Sequence, residues 1–325
     1  MKRVIWMPKA NDLSWVHENY DSAMNEVGKM IIGKRETIQN ILVAVFCEGH
    51  VLLEGVPGIA KTRMANAIAQ TLDCDFKRIQ FTPDLLPSDI LGTMVYDSNL
   101  CKFVLKKGPI FTNIILADEI NRAPPKTQSA LLEAMQERQV TIDGTTYPLP
   151  YPFVVLATQN PIEMEGTYPL PEAQVDRFLF KLVLDYPTRD EEKLILNMRM
   201  KQDVKIKRVL EPDEIQGINA EISKIYADPS IVDYIVDIVT ATRTRTDVQL
   251  GSSPRAGIAF LWGAKAKALL DKRDYVIPDD VKGLAYHTLR HRILLNPEAE
   301  LAGVRIDDVV SDILNSVKVP KAMKA

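Results

Sequence analysis

The sequence predicts an α/β protein, with a parallel sheet held between helices, followed by a region that is helical throughout. Three observations carry this. Residues 50–54, 113–117, 153–158 and 178–184 are strand-length apolar runs without strict polar alternation, as expected of strands buried on both faces. Between the runs, apolar residues recur at helical spacing: Ile38, Ile41, Leu42, Val45 and Phe46, then Ala65, Ile68, Ala69 and Leu72, then Ala130, Leu131, Ala134 and Met135. From Thr188 onward only helix signals remain.

The 325 residues, 46% apolar and 26% charged, suit a soluble globular protein of one large or two smaller domains. A net charge of -3 gives no general footprint for nucleic acid, although local basic patches stay open. Cys47, Cys74 and Cys101 are odd in number and lack C-x-x-C spacing, so reduced thiols in a cytoplasmic protein are expected. No apolar run approaches the roughly 20 residues of a membrane span, and the apolar stretch after Lys2 and Arg3 is too short for a secretory signal.

Residues 1–29 are weakly patterned, and the first dozen carry no readable element. A helix starts at Lys34 and ends before Gly49. Just ahead of it, Ile31, Ile32 and Gly33 suit either contacts to an adenine ring or a hydrophobic staple. The run at 50–54 leads into Gly55, Val56, Pro57, Gly58, Ile59, Ala60, Lys61 and Thr62, and a helix spans 63–72. A glycine-rich turn between strand and helix points its amides at phosphate oxygens; the alternative is an ordinary strand-to-helix turn. Lys61 would reach the β- and γ-phosphates, and Thr62 would place its hydroxyl on Mg2+. Ala60 stands where the pattern G-x-x-x-x-G-K-[ST] has its last glycine, and its methyl group is expected to require a negative φ.

A second strand is expected at 76–81, then an insertion at 84–108 made of a short helix at 85–91 and strands at 93–96 and 102–105. Lys102, Lys106 and Lys107 make its end basic, either as a solvated tip or as a binding surface. The run ending in Asp118 and Glu119 puts two carboxylates at a strand's C-terminal edge. Asp118 is expected to hold Mg2+ through its water shell, and Glu119 to orient and polarise the attacking water. A helix at 126–138 precedes a hairpin at 139–149 turning at Asp143-Gly144. Asn160, just after the 153–158 run, is a polar amide suited to positioning that water, and Pro187 closes the α/β part.

Helices are expected at 190–200, 212–226, 230–242, 254–270 and 278–292. Ser253 is the expected cap of the fourth, leaving Arg255 at a helix N-terminus, where a cation implies an anionic partner unless it is a plain surface arginine. His287 and His291 share i, i+4 spacing on the last helix, but no intervening acid or third ligand supports a metal site.

Residues 55–62, the block from Ile114 to Glu119 continued by Ile120-Asn121-Arg122-Ala123-Pro124-Pro125-Lys126-Thr127-Gln128, Asn160, and Glu172 to Phe178 together strongly resemble AAA+ ATPases of the MoxR family. The resemblance covers about residues 31–316, and alanine is common in that family at the position of Ala60. It implies an AAA+ P-loop core over 1–186, with an insertion at 84–108 and a hairpin at 139–149, and a helical lid over 187–325. ATP and Mg2+ would bind between core and lid. It also implies that Asn160 is the sensor-1 residue, Arg177 the arginine finger and Arg255 the sensor-2 arginine. A ring homo-oligomer, generally a hexamer, and a chaperone-like role in maturing protein complexes follow from the same likeness, often with a von Willebrand factor A partner. The rival readings are a nucleic-acid-translocating motor, which the net acidity disfavours, and a non-hydrolysing scaffold, which Glu119, Asn160 and Arg177 disfavour.

Overall fold

The computed structural model describes residues 13–56, 58–160, 166–199 and 205–320. Its first part runs α1 (Ser14–Gly28), α2 (Arg35–Phe46), β1 (Val51–Gly55), α3 (Lys61–Thr71), β2 (Phe76–Gln80), α4 (Pro87–Leu91), β3 (Gly92–Asp97), β4 (Lys102–Lys107), β5 (Ile114–Asp118) and α5 (Pro125–Glu137). β6 (Gln139–Ile142), β7 (Thr145–Pro148), β8 (Val154–Gln159), α6 (Glu172–Val175) and β9 (Phe180–Leu184) complete the α/β part. Then follow α7 (Arg189–Arg199), α8 (Pro212–Lys224), α9 (Pro229–Thr244), β10 (Val248–Leu250), α10 (Pro254–Leu270), α11 (Pro278–Lys282), α12 (Ala285–Leu289), β11 (Leu294–Leu295), α13 (Pro297–Leu301) and α14 (Ile306–Ser316).

Five strands form one parallel sheet in the order β2-β5-β8-β1-β9. Side chains alternate across a strand, so each central strand feeds two cores. Leu53, Leu116, Leu156 and Leu182 face α2, α3 and the C-terminal helices. Leu52, Ile115, Val155 and Ala157 face the layer of α4 and α5. The edge strand β2 exposes Lys77, Arg78 and Gln80, a polar border that disfavours pairing with another chain. Because the strands are parallel, their C-terminal ends share one edge of the sheet, where ligands of such folds gather.

The insertion is an antiparallel β3–β4 hairpin in which Asp97 Oδ1 accepts the N–H groups of Asn99 and Leu100 at 2.8 and 3.2 Å. The β6–β7 hairpin turns through Asp143 and Gly144 at φ 53° and 78°, the two positive angles that match strand twist.

Several expectations need correction. The helix expected at 278–292 is two, α11 and α12, broken at Gly283, a poor helix former wedged against Lys267; a β-carbon there would meet Lys267 Nζ at 2.7 Å. His291 therefore lies beyond α12: its Nε2 contacts Phe178 O at 3.0 Å, whereas His287 Nε2 faces Glu36 at 3.3 Å. α8 stops at Lys224 because Tyr226 bridges to the 274–276 segment, and α5 stops at Glu137 because Arg138 turns left-handed at φ 52°. The unread N-terminal region holds α1, which buries Val16, Tyr20, Ala23, Met24 and Val27. Met200, placed at the end of the helix expected over 190–200, lies outside the described residues.

One apolar cluster runs from α1 and α2 through α10 to α14, so the C-terminal helices share a core with the sheet. Gly263 of α10 sits where α12 and β9 meet it: a β-carbon there would fall 2.7 Å from Leu284 Cδ1 and 3.0 Å from Phe180 Cζ. Gly263→Val is expected to destabilise by about 1–3 kcal/mol through overpacking, seen as a lower urea midpoint. An unchanged midpoint would mean that α10 yields freely at this junction.

Candidate functional site

β1 ends at Gly55 and α3 begins at Lys61, so the five residues 56–60 make the turn between them. Gly58 takes φ 85° with nothing within 4 Å of an added β-carbon, leaving the concave side of the loop open. Ala60 corrects the sequence reading: it sits at φ 63° and ψ 22°, left-handed, as the residue that caps α3. The turn that aims the first α3 amides into the loop requires this conformation whatever the residue, and alanine tolerates it for about 1–2 kcal/mol. Pro57 lies outside the described residues. Lys61 Nζ donates to Gly55 O at 2.6 Å, folding the side chain back over its own loop. Burial pushes its pKa down, while Asp118, Glu119 and Glu54 pull it up.

Asp118 is the last residue of β5, and Glu119 leaves the strand in a left-handed conformation at φ 57°. Both are held from β8. Thr158 Oγ1 donates to Asp118 Oδ1 at 2.6 Å and accepts the Glu119 N–H at 2.9 Å. From the other side, Arg78 of β2 donates to Asp118 Oδ2 through Nε at 3.0 Å and Nη2 at 2.7 Å. Gln80 donates to Glu119 Oε2 at 2.8 Å, and Arg122 Nε stands 3.0 Å from that same oxygen. Arg78, Gln80 and Thr158 were absent from the sequence-derived site. Their only signal was position: residues 78 and 80 are two apart on an expected strand, and Thr158 ends another.

Lys61, Arg78, Asp118, Glu119 and Thr158 line a cleft of about 560 Å³ together with Ile31, Ile32, Thr62, Asn160, Tyr186 and Ile195. Four cations, Lys34, Lys61, Arg63 and Arg78, stand against three carboxylates, Asp118, Glu119 and Glu192. The donor set fits a nucleoside triphosphate with a hard divalent cation. A hydroxyl and a carboxylate are the sparse oxygen ligands Mg2+ accepts beside phosphates, and the guanidinium of Arg78 already marks Asp118 as a cation partner.

Arg177 and Arg255 do not join this cleft. They line a second one of about 440 Å³ that shares no residue with the first. Arg255, the sensor-2 arginine by resemblance, therefore lines the cleft that also holds Arg177 rather than the one at the phosphate loop. The anion facing Arg255 is Asp176, at 3.8 Å, and Ser253 caps α10 by accepting the Arg255 N–H at 3.1 Å. Arg177 is half-buried; Nη1 donates to Leu132 O at 2.9 Å, and Nε has no partner among the described residues.

A model described as the ATPase family associated with various cellular activities (AAA) matches residues 50–180, and an AAA lid domain model matches residues 240–313. The fold and the matched domains define an AAA ATPase domain with its helical lid. The chain is 50% identical to YeaC of Bacillus subtilis, over 94% of this chain and 96% of that protein. It is 43% identical to Chaperone MoxR1 of Mycobacterium tuberculosis, over 93% of this chain and 82% of that one. The crystal structure of an assigned ATPase from Cytophaga hutchinsonii superposes with a TM-score of 0.90 at 45% identity, covering 95% and 97% of the two chains. The chain belongs to the MoxR family of AAA+ ATPases.

The left-handed Ala60 makes a two-way prediction. Ala60→Gly should bind nucleotide normally, and Ala60→Val, a β-branched residue forced to positive φ, should lose binding. Equal binding by both variants, measured with a fluorescent nucleotide, would show that the loop tolerates strain at residue 60.

Proposed function

We propose that this chain hydrolyses ATP with Mg2+, and that it works as one subunit of a homo-oligomeric ring of six that remodels protein complexes in the cytoplasm. The observation that carries this reading is the division of charge between two clefts. Lys61, Thr62, Asp118, Glu119 and Asn160 line one, whereas Arg177 and Arg255 line the other, so among the described residues the arginines lining the first cleft are Arg63 and Arg78, with Arg122 beside Glu119. The α/β domain is taken as 1–186 and the lid as 187–325.

In this reading the backbone N–H groups of residues 58–62 would cradle the phosphates, and Lys61 Nζ would leave Gly55 O to hold the β- and γ-phosphate oxygens. Thr62 and Asp118 would hold Mg2+, whose charge would help neutralise the phosphates. Glu119, freed from Gln80 and Arg122, takes the proton of the attacking water, and Asn160 orients that water. Ile31, Ile32 and Tyr186 offer the apolar rim for adenine. Arg177 and Arg255 enter the neighbour's cleft, where an arginine supplied in trans is worth about 10³-fold or more in rate. The name Chaperone MoxR1 for a relative supports a protein client, and a von Willebrand factor A domain protein is the first class to test. Among the described residues no helix is long and apolar enough to cross a membrane.

Lys61→Ala should weaken ATP binding strongly, and Thr62→Ala should weaken it chiefly when Mg2+ is present. A Thr62→Ala defect of equal size with and without Mg2+ would refute the metal role. Stimulation of turnover by DNA that falls steeply with salt would favour a motor instead.

Glu119→Gln and Arg177→Ala should each bind ATP and lack turnover. Mixed, they create interfaces where an intact Glu119 meets an intact Arg177, so activity should return as subunits exchange. A mixture that stays inactive although the subunits co-assemble would place Arg177 in its own chain's reaction, or require every site of the ring to be intact; tethered dimers carrying one defect each separate these.

A further inference from the structure

Asp176 and Arg292 have no part in the reaction as described above. Arg292 comes three residues after α12, its side chain is 2% exposed, and all three of its nitrogens are committed. Nε donates to Asp176 Oδ1 at 2.8 Å. Nη2 donates to Asp176 O at 3.0 Å and to Phe178 O at 2.6 Å. Nη1 donates to Leu179 O at 3.2 Å and to Thr288 O at 2.7 Å. The carbonyls on both sides of Arg177 are therefore bound by one nitrogen, which fixes the backbone of residue 177 from the lid. Burial pushes the Arg292 pKa down to about 10 while Asp176 opposes the fall, so the side chain stays cationic at neutral pH.

The second carboxylate oxygen of Asp176 faces α10. Oδ2 accepts from Ser253 Oγ at 2.7 Å and lies 3.8 Å from Arg255 Nη1. Asp176 thus precedes one outward arginine in the chain and touches the helix start that bears the other. Among the described residues Arg177 has little else to fix it: its guanidinium reaches Leu132 O, and its Nε has no partner there.

We infer that the Asp176–Arg292 pair is a positioning device that sets Arg177 and Arg255 relative to each other on the face offered to a neighbouring subunit, and so ties lid position to that face. This rests on the proposal that Arg177 completes the neighbour's site. Neither residue of the pair touches nucleotide. Asp176 aims the two arginines, and Arg292 holds Asp176 and the peptides flanking Arg177 in one orientation.

The test is Asp176→Asn, which keeps the side chain's size and one acceptor oxygen but removes the charge, with Arg292→Lys as a second variant that keeps charge and loses the fork. Nucleotide affinity should be unchanged in both, because the phosphate cleft shares no residue with this one. kcat should fall about 10- to 100-fold, the scale of a misplacement near 1 Å. Mixing Asp176→Asn with Glu119→Gln should restore turnover, whereas mixing Asp176→Asn with Arg177→Ala should not, because those two damage the same face. Wild-type kcat in Asp176→Asn beside an inactive Arg177→Ala would overturn the positioning role and leave the trans arginine standing. Loss of nucleotide affinity with no rescue by Glu119→Gln would overturn it too, reducing the pair to a fold clamp. Full turnover in Arg177→Ala would remove the trans proposal itself, and this inference with it.

Discussion

The Thr158 hydroxyl joins the two strands on which the candidate chemistry depends. It is 1% exposed, donates to Asp118 Oδ1 and accepts the N–H of Glu119, so one group orients both acids. It can do so only because β5 and β8 run parallel in a register that pairs Ala117 with Ala157 and sets Thr158 beside Asp118. The left-handed turn at Glu119 completes the arrangement. Without it the two carboxylates would continue the strand and point to opposite faces; with it Glu119 swings back toward β2, where Gln80 meets it.

Two arginine–aspartate pairs in this chain look alike on paper and differ physically. Arg78 is about half exposed where it meets Asp118, and pairs of that kind contribute about 0–1 kcal/mol. A divalent cation can therefore displace it at little expense, and the carboxylate is kept oriented until then by Thr158. Arg292 is buried against Asp176, and leaving a buried charge without its partner destabilises by about 3–5 kcal/mol. That pair is permanent on the same scale. The first suits a ligand site that must change hands, the second a joint that must not.

The strands were legible because burial on both faces leaves an unbroken apolar run, and the phosphate loop because its residue types have few other uses together. Ala60 departs from the negative φ that alanine prefers locally because the turn into α3 demands a left-handed residue there. α1 was missed although Val16, Tyr20, Ala23 and Val27 repeat at helical spacing, because polar residues dominate the stretch and its apolar face is narrow. Beyond lying two apart on a strand, Arg78 and Gln80 carry no local signal of their role. Their importance comes from β2 lying beside β5, a pairing between strands whose neighbours in space are not neighbours in sequence. The Ser253-Pro254 start of α10 was readable residue by residue, yet nothing local said which cleft Arg255 would face.

That last gap bears on how the lid relates to the reaction. α10 packs against α2, and α2 follows directly on the Ile31–Ile32 segment that lines the phosphate cleft. At its N-terminus α10 also carries Arg255, in the other cleft. α10 therefore lines the arginine cleft and is connected to the phosphate cleft through α2 and a continuous apolar core, and close-packed interiors shift as units rather than deforming smoothly. Under the proposed reading, a displacement of α2 on nucleotide binding would move the arginine face presented to the next subunit, with Arg292 keeping Arg177 in step with the lid. On that reading, communication around a ring would run through packing among the described residues, with the nucleotide held on one side and the arginines offered on the other.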